Sequence, residues 1–379
     1  MRCTYFSLKF LFTGFCLFLL TCNVDKSPSE NSYLKIIVPE NNLNDFSNQL
    51  TFKSITKLET KPESIFRDPT KVLVNNHILF VYDRSLQKIL LFDKNGIFVG
   101  KLDQKGRGPN EYIDLRDFQI TSDKLIAILT YDKVMYYDFN FHLVNIYKIG
   151  IKNDQNYYLN PTHFYQINDT YYLWNGTIGI DYNKEKMPFL MYSGRNGKII
   201  NGYFPLAHKL IGSNRFSAFN NRVLITPTIH NDTIYSIDNG KLEIAFKIDF
   251  GKYNLPKGYI NVYEDMQKLF SSDYCTNISN LMETKEYLYF EYVQRKRMMQ
   301  GLFSKTTGKC VTGILTPFTK MICVDDDSMI EIVDQILLED CVRSIDKFNI
   351  SPEIKEVFRK MSFNVDDNPL KIEYSIKPF

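Results

Sequence analysis

The chain repeats a unit of four short strands separated by turn residues, and this repetition constrains the fold more than any other feature. The clearest unit extends from Lys71 to Leu102 and contains four strand-like runs with turns between them. Asn95-Gly96 follows the third run and suits a type I′ hairpin turn, because both of its central residues need positive φ. Phe92-Asp93 has a counterpart, Tyr137-Asp138, 45 residues further along the chain. A period of this length indicates a repeated supersecondary unit.

Three later segments carry weaker copies of the same unit, at 163–200, 222–250 and 286–308. Periods in the forties with four strands per unit are typical of propeller blades, in which each blade covers its faces with its neighbours. The 25 tyrosines and 29 phenylalanines also favour strands, since aromatic residues suit pleated, half-buried surfaces. We therefore predict an all-β fold, a six-bladed β-propeller over residues 50–379.

The two ends of this region predict how the ring closes. The last unit has strand-like runs at 320–324 and 329–333 and a final alternating run at 370–376, which leaves it one strand short. The run at 50–58 is a strand without a unit of its own. Pairing the N-terminal and C-terminal strands would complete the sixth blade and remove two exposed sheet edges.

Two helical insertions interrupt the strand pattern. The first prediction covers residues 259–270, ahead of the fifth unit, and the second covers residues 334–361, within the sixth. The second includes two runs, and the later one begins with Ser351 as N-cap and Pro352 in the first helical position.

Residues 1–22 have the features of an export signal. Arg2 and Lys9 lie in an acid-free segment, and the apolar stretch that follows is too short for a membrane-spanning helix. The stretch ends at Cys22, in a pattern similar to a bacterial lipoprotein box, which predicts lipidation of this cysteine and anchoring of the chain to a membrane. The alternative is a plain secretory signal in which Cys22 is incidental. Residues 23–49 then form a polar tether and a segment that leads into the propeller.

We expect the protein in the bacterial cell envelope, lipid-anchored, at the outer membrane and facing the periplasm, since the tether lacks a dense acidic run. An oxidising envelope would permit disulfides among four cysteines of the last third of the chain. Three pairings are possible. The spacing matches no zinc-binding pattern, and we favour buried free thiols, with one disulfide as the alternative. The four are Cys275, Cys310, Cys323 and Cys341.

Charge argues against a nucleic-acid partner. The net charge of +3 falls to +1 once Arg2 and Lys9 are removed with the signal, so no basic face is indicated.

Several motifs together resemble one protein family. The chain looks like the six-bladed β-propeller lipoproteins of Bacteroides-type bacteria, which are related to NHL-repeat and TolB-like propellers. The resemblance covers roughly residues 50–379 and implies the fold, the envelope location and the blade count. It implies no reaction, because the family has no assigned chemistry. The motifs are Leu58-Glu59-Thr60, Asp93–Gly96, Gly106–Tyr112, Asp232–Tyr235, Ile248–Gly251 and Asp367–Pro369.

Motifs that suggest chemistry have simpler structural interpretations. Gly106–Tyr112 lacks the ending of a phosphate-binding loop and is better explained as a turn between blades. Asp325–Asp327 is better explained as a solvated turn than as a calcium site. The five histidines show no short ligand spacing, and no Gly-x-Ser-x-Gly motif occurs. We therefore predict no catalytic residue, no metal and no cofactor.

Ligand-binding residues are predicted from their position on loops at one end of the ring, where a rigid scaffold can orient them. Their mixture of aromatic, imidazole and guanidinium groups suits stacking and hydrogen bonding. We expect a binding or scaffolding protein with a peptide, glycan or protein partner. The alternative is a metal-dependent propeller hydrolase or lyase of the lactonase type. The candidates are Arg67, Asp83, Tyr112, His163, Trp174, Arg215 and His230.

Overall fold

The computed structural model describes most of the chain after residue 32. The described residues are 33–40, 46–149, 160–175, 180–182, 185–187, 189–195, 197–204, 216–219, 222–226, 232–238, 241–256, 269, 271–318, 320–325, 328–364 and 366–379. Their strands form six main sheets, arranged as the blades of a six-bladed β-propeller.

Strands dominate the described residues. In chain order they are β1 (Leu34–Ile37), β2 (Leu50–Lys57), β3 (Pro69–Asn75), β4 (Ile78–Asp83), β5 (Lys88–Phe92), β6 (Phe98–Leu102), β7 (Asp117–Ile120), β8 (Ile126–Leu129), β9 (Lys133–Tyr137), β10 (Leu143–Lys148), β11 (His163–Ile167), β12 (Thr170–Trp174), β13 (Ile180–Tyr182), β14 (Glu185–Met187), β15 (Phe189–Ser193), β16 (Lys198–Tyr203), β17 (Ser217–Phe219), β18 (Arg222–Ile225), β19 (Thr233–Asp238), β20 (Lys241–Asp249), β21 (Thr276–Glu283), β22 (Tyr287–Gln294), β23 (Arg297–Ser304), β24 (Cys310–Ile314), β25 (Cys323–Asp325), β26 (Ser328–Val333) and β27 (Leu370–Ile376). The helices are α1 (Gln335–Val342) and α2 (Pro352–Arg359), with short 3-10 helices at Phe46–Gln49, Gly251–Tyr253 and Ile345–Lys347.

Each blade follows one repeat of the sequence. From the axis outward, blades one to three are β3–β4–β5–β6, β7–β8–β9–β10 and β11–β12–β15–β16. Blade four is β17–β18–β19–β20–β1, blade five is β21–β22–β23–β24, and blade six is β25–β26–β27–β2. The predicted six-bladed all-β fold is confirmed.

Ring closure by the two termini is also confirmed. β2 lies antiparallel to β27 as the outermost strand of blade six, with Lys57 opposite Leu370 and Leu50 opposite Ile376. The sixth blade therefore combines an N-terminal strand with C-terminal strands. The facing edges of β2 and β27 are hydrogen-bonded to each other, so neither of these two edges is exposed.

Strand β1 was not anticipated from the sequence. It extends blade four by pairing in parallel with β20, with Ile36 buried between blades. The Lys35 ammonium lies 2.8 Å from the Asp249 carboxylate, and hydrogen bonds from Lys35 and Asn254 lower the pKa of Asp249 to about 2. The segment leading into the propeller thus contributes its own strand to the fold.

The helical insertion of blade six is confirmed between β26 and β27. Asp334 caps α1 by accepting hydrogen bonds from two backbone amides, and Ser351 caps α2 in the same way through Ile354. The helix predicted over residues 259–270 lies outside the described residues except for Leu269. A hairpin of β13 and β14 between β12 and β15 was missed.

The cysteines and the inner strands complete the packing. All four cysteines of the propeller are free thiols, as favoured above, and Cys341 is the least buried of them.

Near the axis, the Asp117 carboxylate joins three blades: it accepts from the Lys71 ammonium at 2.8 Å and from the backbone amide of Phe164 at 3.0 Å. Polar groups thus link the innermost strands of neighbouring blades.

Asn368 holds blade six against blade one. Its side-chain amide donates to the carbonyl oxygens of Glu59 and Ser64, at 2.8 and 3.0 Å, and its side-chain oxygen accepts from the Phe66 backbone amide. The residue is only 2% exposed, so water cannot replace these contacts readily.

Asn368→Ala should lower the free energy of unfolding by about 3 kcal/mol, because three buried backbone groups lose their partner. Chemical denaturation of the purified variant measures this loss. The exposed Asn364 is the matched control, and Asn364→Ala should change stability by less than about 1 kcal/mol. Equal stability of the two variants would contradict the role of Asn368.

Candidate functional site

One end of the ring carries the longer connections and is called here the insertion end. It contains the turns between the second and third strands of each blade and the connections from one blade to the next. The helical insertion (334–369) and the β13–β14 hairpin both belong to it, in blades six and three. The predicted ligand-binding residues that the structure describes, Arg67, Asp83, Tyr112, His163 and Trp174, also lie at this end.

The structure brings Arg67 and Asp83 together, but it uses Asp83 to hold the backbone. The fully buried carboxylate accepts from the backbone amides of Arg67 and Leu86, at 2.8 and 2.9 Å, and from the Ser85 hydroxyl at 2.6 Å. Burial disfavours the charged form, but these hydrogen bonds outweigh it and hold the pKa of Asp83 below its ordinary value. The side chain of Arg67 is exposed, so only Arg67 of this pair is accessible to a ligand.

Tyr112 is likewise a structural residue. Its ring is fully buried between blades one and two, and its hydroxyl donates to the Gln87 carbonyl at 2.8 Å. Burial raises the pKa of this hydroxyl above its ordinary value. The prediction that Tyr112 contacts a ligand is therefore wrong, since no part of the side chain reaches solvent.

His163 and Trp174 are brought together as a cross-strand pair at the insertion end of blade three. Trp174 is 3% exposed and packs in an apolar cluster with Phe189, so it serves the core rather than an open stacking platform. His163 is half-buried beside the Thr162 hydroxyl, and a ligand contact there stays a prediction. Arg215, His230 and Cys22 lie outside the described residues.

Four connections at the insertion end form one hydrogen-bonded surface, which we call the loop belt: residues 59–68, 83–87, 112–116 and 130–132. The insertion joins it through Asn368, which binds the backbone of Glu59 and Ser64 and whose own carbonyl accepts from the Gln335 side chain at 2.7 Å. Asp83 ties the first two connections, as described above. The Gln87 side-chain oxygen then accepts from the Leu115 amide at 2.6 Å and ties the second to the third.

The belt continues into blades two and three. The Asp114 carboxylate accepts from the Tyr131 amide at 3.0 Å and from the Arg116 guanidinium at 2.6 Å. The same guanidinium lies 5.0 Å from the centre of the Tyr131 ring and donates to the Pro161 carbonyl. The connections of successive blades are therefore fixed relative to one another.

Large apolar side chains project from this belt into solvent. Six of them, on blades six, one and two, are between 37% and 70% exposed. Exposed apolar residues that share one surface mark interaction sites more often than scattered ones do. The sequence analysis did not predict these residues as part of a binding surface. The signal that could have found them is the presence of large apolar residues within turn segments. They are Ile65, Leu86, Ile113 and Tyr131 on the belt and Ile336 and Leu337 at the start of α1.

Exposed basic side chains lie on the same connections between strands. Arg67, Arg84, Lys105 and Arg107 are exposed and form no ion pair with another described residue. Acidic groups such as Asp68 and Asp132 are exposed beside them, so the surface carries both signs of charge. An apolar centre with a charged margin is the usual composition of a protein interface.

A cleft of about 210 Å³ opens elsewhere, between blade five, the 3-10 helix Phe46–Gln49 and the helical insertion. We call it the blade-five cleft. Its walls combine apolar side chains, including Phe46 and Phe348, with hydrogen-bonding groups. The hydrogen-bonding side chains are Ser47, Gln300, Thr316, Lys347 and Asn349.

Buried polar groups lie behind the cleft, between blades five and six. The Tyr289 hydroxyl donates to the Glu291 carboxylate at 2.8 Å and lies 3.4 Å from the Gln300 side-chain oxygen. Glu331 accepts from the Lys320 amide and lies near the Tyr374 hydroxyl. Burial raises the pKa of Glu331 well above its ordinary value, because it disfavours the charged carboxylate.

Two further features are absent from the described residues. No group of three or more histidine, cysteine, aspartate or glutamate side chains is placed there to hold a metal ion. No helix within this part of the chain has the length and apolar character needed to cross a membrane.

The sequence profile of a domain family of unknown function, DUF4934, matches residues 37–373. The chain belongs to the DUF4934 family. The match begins at the end of β1 and ends within β27, so it covers nearly all of the propeller. A comparison with curated proteins finds no significant match.

Solved structures from Bacteroides share this fold. A Bacteroides fragilis protein described as exported is 20% identical, with a TM-score of 0.71, over 92% of this chain and all of that one. A Bacteroides vulgatus member of the duf4221 family is 10% identical, with a TM-score of 0.56, over 87% and 98% of the two chains. At such low identity these likenesses concern the fold of the DUF4934 chain and not its function.

Glu331→Gln should raise the melting temperature at pH 7 to 8. The unfolded glutamate releases its proton near pH 4.5, whereas the buried one retains it, so the stability of the native protein falls as pH rises above that value. Glutamine has no such proton to lose, so the difference in melting temperature between the variant and the native protein should vanish near pH 4. Thermal unfolding between pH 4 and pH 8 measures this difference, and the exposed Glu286→Gln is the control. A melting temperature that is lower than the native value at pH 8 would contradict the assignment.

Proposed function

We propose that this DUF4934 protein is a binding or scaffolding protein of the bacterial cell envelope that holds a protein partner on the loop belt. The proposal is based on one observation: exposed apolar residues lie on connections that are hydrogen-bonded to one another. A fixed surface loses little conformational entropy on binding, which favours a specific partner.

The composition of the belt favours a protein over the other partners considered. Its apolar residues come from three blades, so a partner must be large enough to contact several connections at once. Tyrosine and arginine, here Tyr131 and Arg116, are enriched in protein interfaces. The exposed acidic groups Asp68 and Asp132 would weaken contact with an anionic lipid surface.

The envelope location rests on the N-terminal segment. An export signal that ends at Cys22 would release a lipid-anchored chain, and the tether from there to β1 is 11 residues long. Such a tether reaches at most about 40 Å when extended. The anchor would therefore hold β1, at the outer edge of blade four, within that distance of the membrane.

Photo-crosslinking in cells tests the proposal. A photoreactive phenylalanine derivative at Ile113 or Leu86 should give one discrete protein adduct, because both positions lie on the belt. The same group at Val144 or Ile200, which are exposed on outer strands, should give none. When the photoreactive group is at Ile113, the additional substitution Leu337→Asp should reduce the adduct yield at least fivefold, since it places a charge within the apolar surface.

Adducts of equal yield at belt and outer-strand positions would contradict a specific interface. Adducts with lipid alone at Ile113 and Leu86 would also contradict it and would identify the belt as a membrane-facing surface.

A further inference from the structure

We propose that Lys88 binds a carboxylate group of the protein that covers the loop belt. The inference rests on the proposed function, since it names the chemistry of that partner at one point of the belt. Three observations support it. The Lys88 side chain is buried, its ammonium has no partner among the described residues, and it lies where two connections of the belt meet.

Lys88 differs from the other buried lysine in the described part of the chain. Lys371 is 7% exposed, and its ammonium lies 2.6 Å from the Glu373 carboxylate. Lys88 is equally buried, but its ammonium makes no hydrogen bond and no close ion pair with any described residue. The ammonium is not fully enclosed, so a group from outside can reach it. A bound carboxylate would offset the cost of holding an unpaired charge against the protein.

Two aspartates lie beside Lys88, and both are already bound elsewhere. Asp83 is opposite Lys88 on β4, but its carboxylate accepts from backbone amides of the loop belt. Asp103 is next in register on the other side, and it binds the Lys101 ammonium at 2.9 Å. Burial, followed by the charge of Lys101, lowers the pKa of Lys88 below its ordinary value. The described side chains therefore leave the three N–H groups of this ammonium without an acceptor.

Lys88 lies where the first two connections of the belt meet. It directly follows the second connection and shares a strand face with Leu90. Leu90 belongs to one apolar cluster with Phe66 of the first connection. Leu86, two residues before Lys88, is one of the exposed apolar residues of the belt. A partner that covers Leu86 would therefore bring its own side chains near the Lys88 ammonium.

A carboxylate suits this position better than a phosphate does. A phosphate monoester carries a charge of about −1.5 to −2 at neutral pH, and the neighbouring Asp83 and Asp103 would repel it. A carboxylate carries a single negative charge. The compact ammonium of lysine can bind one carboxylate oxygen as a point charge, without the planar pair of contacts that arginine makes. The partner would contribute an aspartate or glutamate side chain or its own C-terminus.

NMR of the lysine side chains tests the site on the purified protein, with acetate as the probe. In protein isotope-labelled at the ε-carbon of lysine, Lys88→Met removes one signal and so assigns it. Acetate should shift that signal saturably, with a dissociation constant on the order of 50 mM, as expected for one charge-assisted hydrogen bond. It should also raise the pH at which the signal titrates, because an anion favours the charged ammonium.

The exposed Lys148, on the outer strand of blade two, is the internal control and should show no saturable shift. Inorganic phosphate at the same ionic strength should bind Lys88 more weakly than acetate does. A Lys88 signal that does not saturate with acetate, or that saturates at a lower concentration of phosphate, would overturn the proposal.

Crosslinking in cells tests whether the partner supplies the carboxylate. With the photoreactive group at Ile113, Lys88→Met should reduce the adduct yield about tenfold, as the loss of one charge-assisted hydrogen bond implies. Lys148→Met removes the same charge from an outer strand and should leave the yield unchanged. Lys88→Met should unfold at the native temperature or above it, because methionine fills the buried space without a charge to desolvate.

Equal adduct yields from Lys88→Met and Lys148→Met would overturn the proposal while leaving the loop-belt function intact. A Lys88→Met protein that unfolds well below the native temperature would overturn it as well, since Lys88 would then serve the fold. The absence of any adduct in the native protein would instead contradict the loop-belt function itself, so the two failures are distinguishable.

Discussion

The pairing of β2 with β27 is the contact on which the rest of this structure depends. A four-stranded blade has two apolar faces and can cover them only with its neighbours, so a ring with one incomplete blade leaves faces and edges open. Because β2 lies next to β27, the loop that leads from β2 into blade one passes beside the helical insertion. Asn368 joins these two segments, and the loop belt begins at this contact.

The helical insertion reaches both the loop belt and the blade-five cleft. The start of α1 presents Ile336 and Leu337 beside the loop belt, whereas the segment after Ile345–Lys347 forms a wall of the blade-five cleft. A partner on the belt would therefore contact an element that sits in the blade that closes the ring.

Much of the fold was predictable because strands and turns leave local signals. Asn95-Gly96 marks a hairpin, and Gly96 has the positive φ that this turn requires. Ser351 and Pro352 mark the start of a helix by their capping chemistry. β1 left no comparable signal, because a four-residue strand that pairs in parallel with a distant partner shows neither a turn nor a clear alternation.

The site was less predictable, for a physical reason. Asp83 and Tyr112 have the chemistry of ligand-binding residues, but the turns in which they lie contain backbone groups that need partners, and the two side chains satisfy these first. The exposure of Ile113 or Leu86 depends on how loops from separate blades lie together, and no local pattern encodes that arrangement. The sequence therefore indicates which loops share one end of the ring without indicating which side chains are accessible there.

The central claim is that a protein partner covers the loop belt, and hydrogen–deuterium exchange tests it most directly. The purified protein is compared alone and mixed with detergent-solubilised envelope from the cells that produce it. The account predicts slower exchange in residues 84–87, 112–116 and 130–132 of the mixture, with the outer strands β10 and β16 unchanged. Slower exchange confined to those outer strands, or identical exchange in both samples, would contradict it.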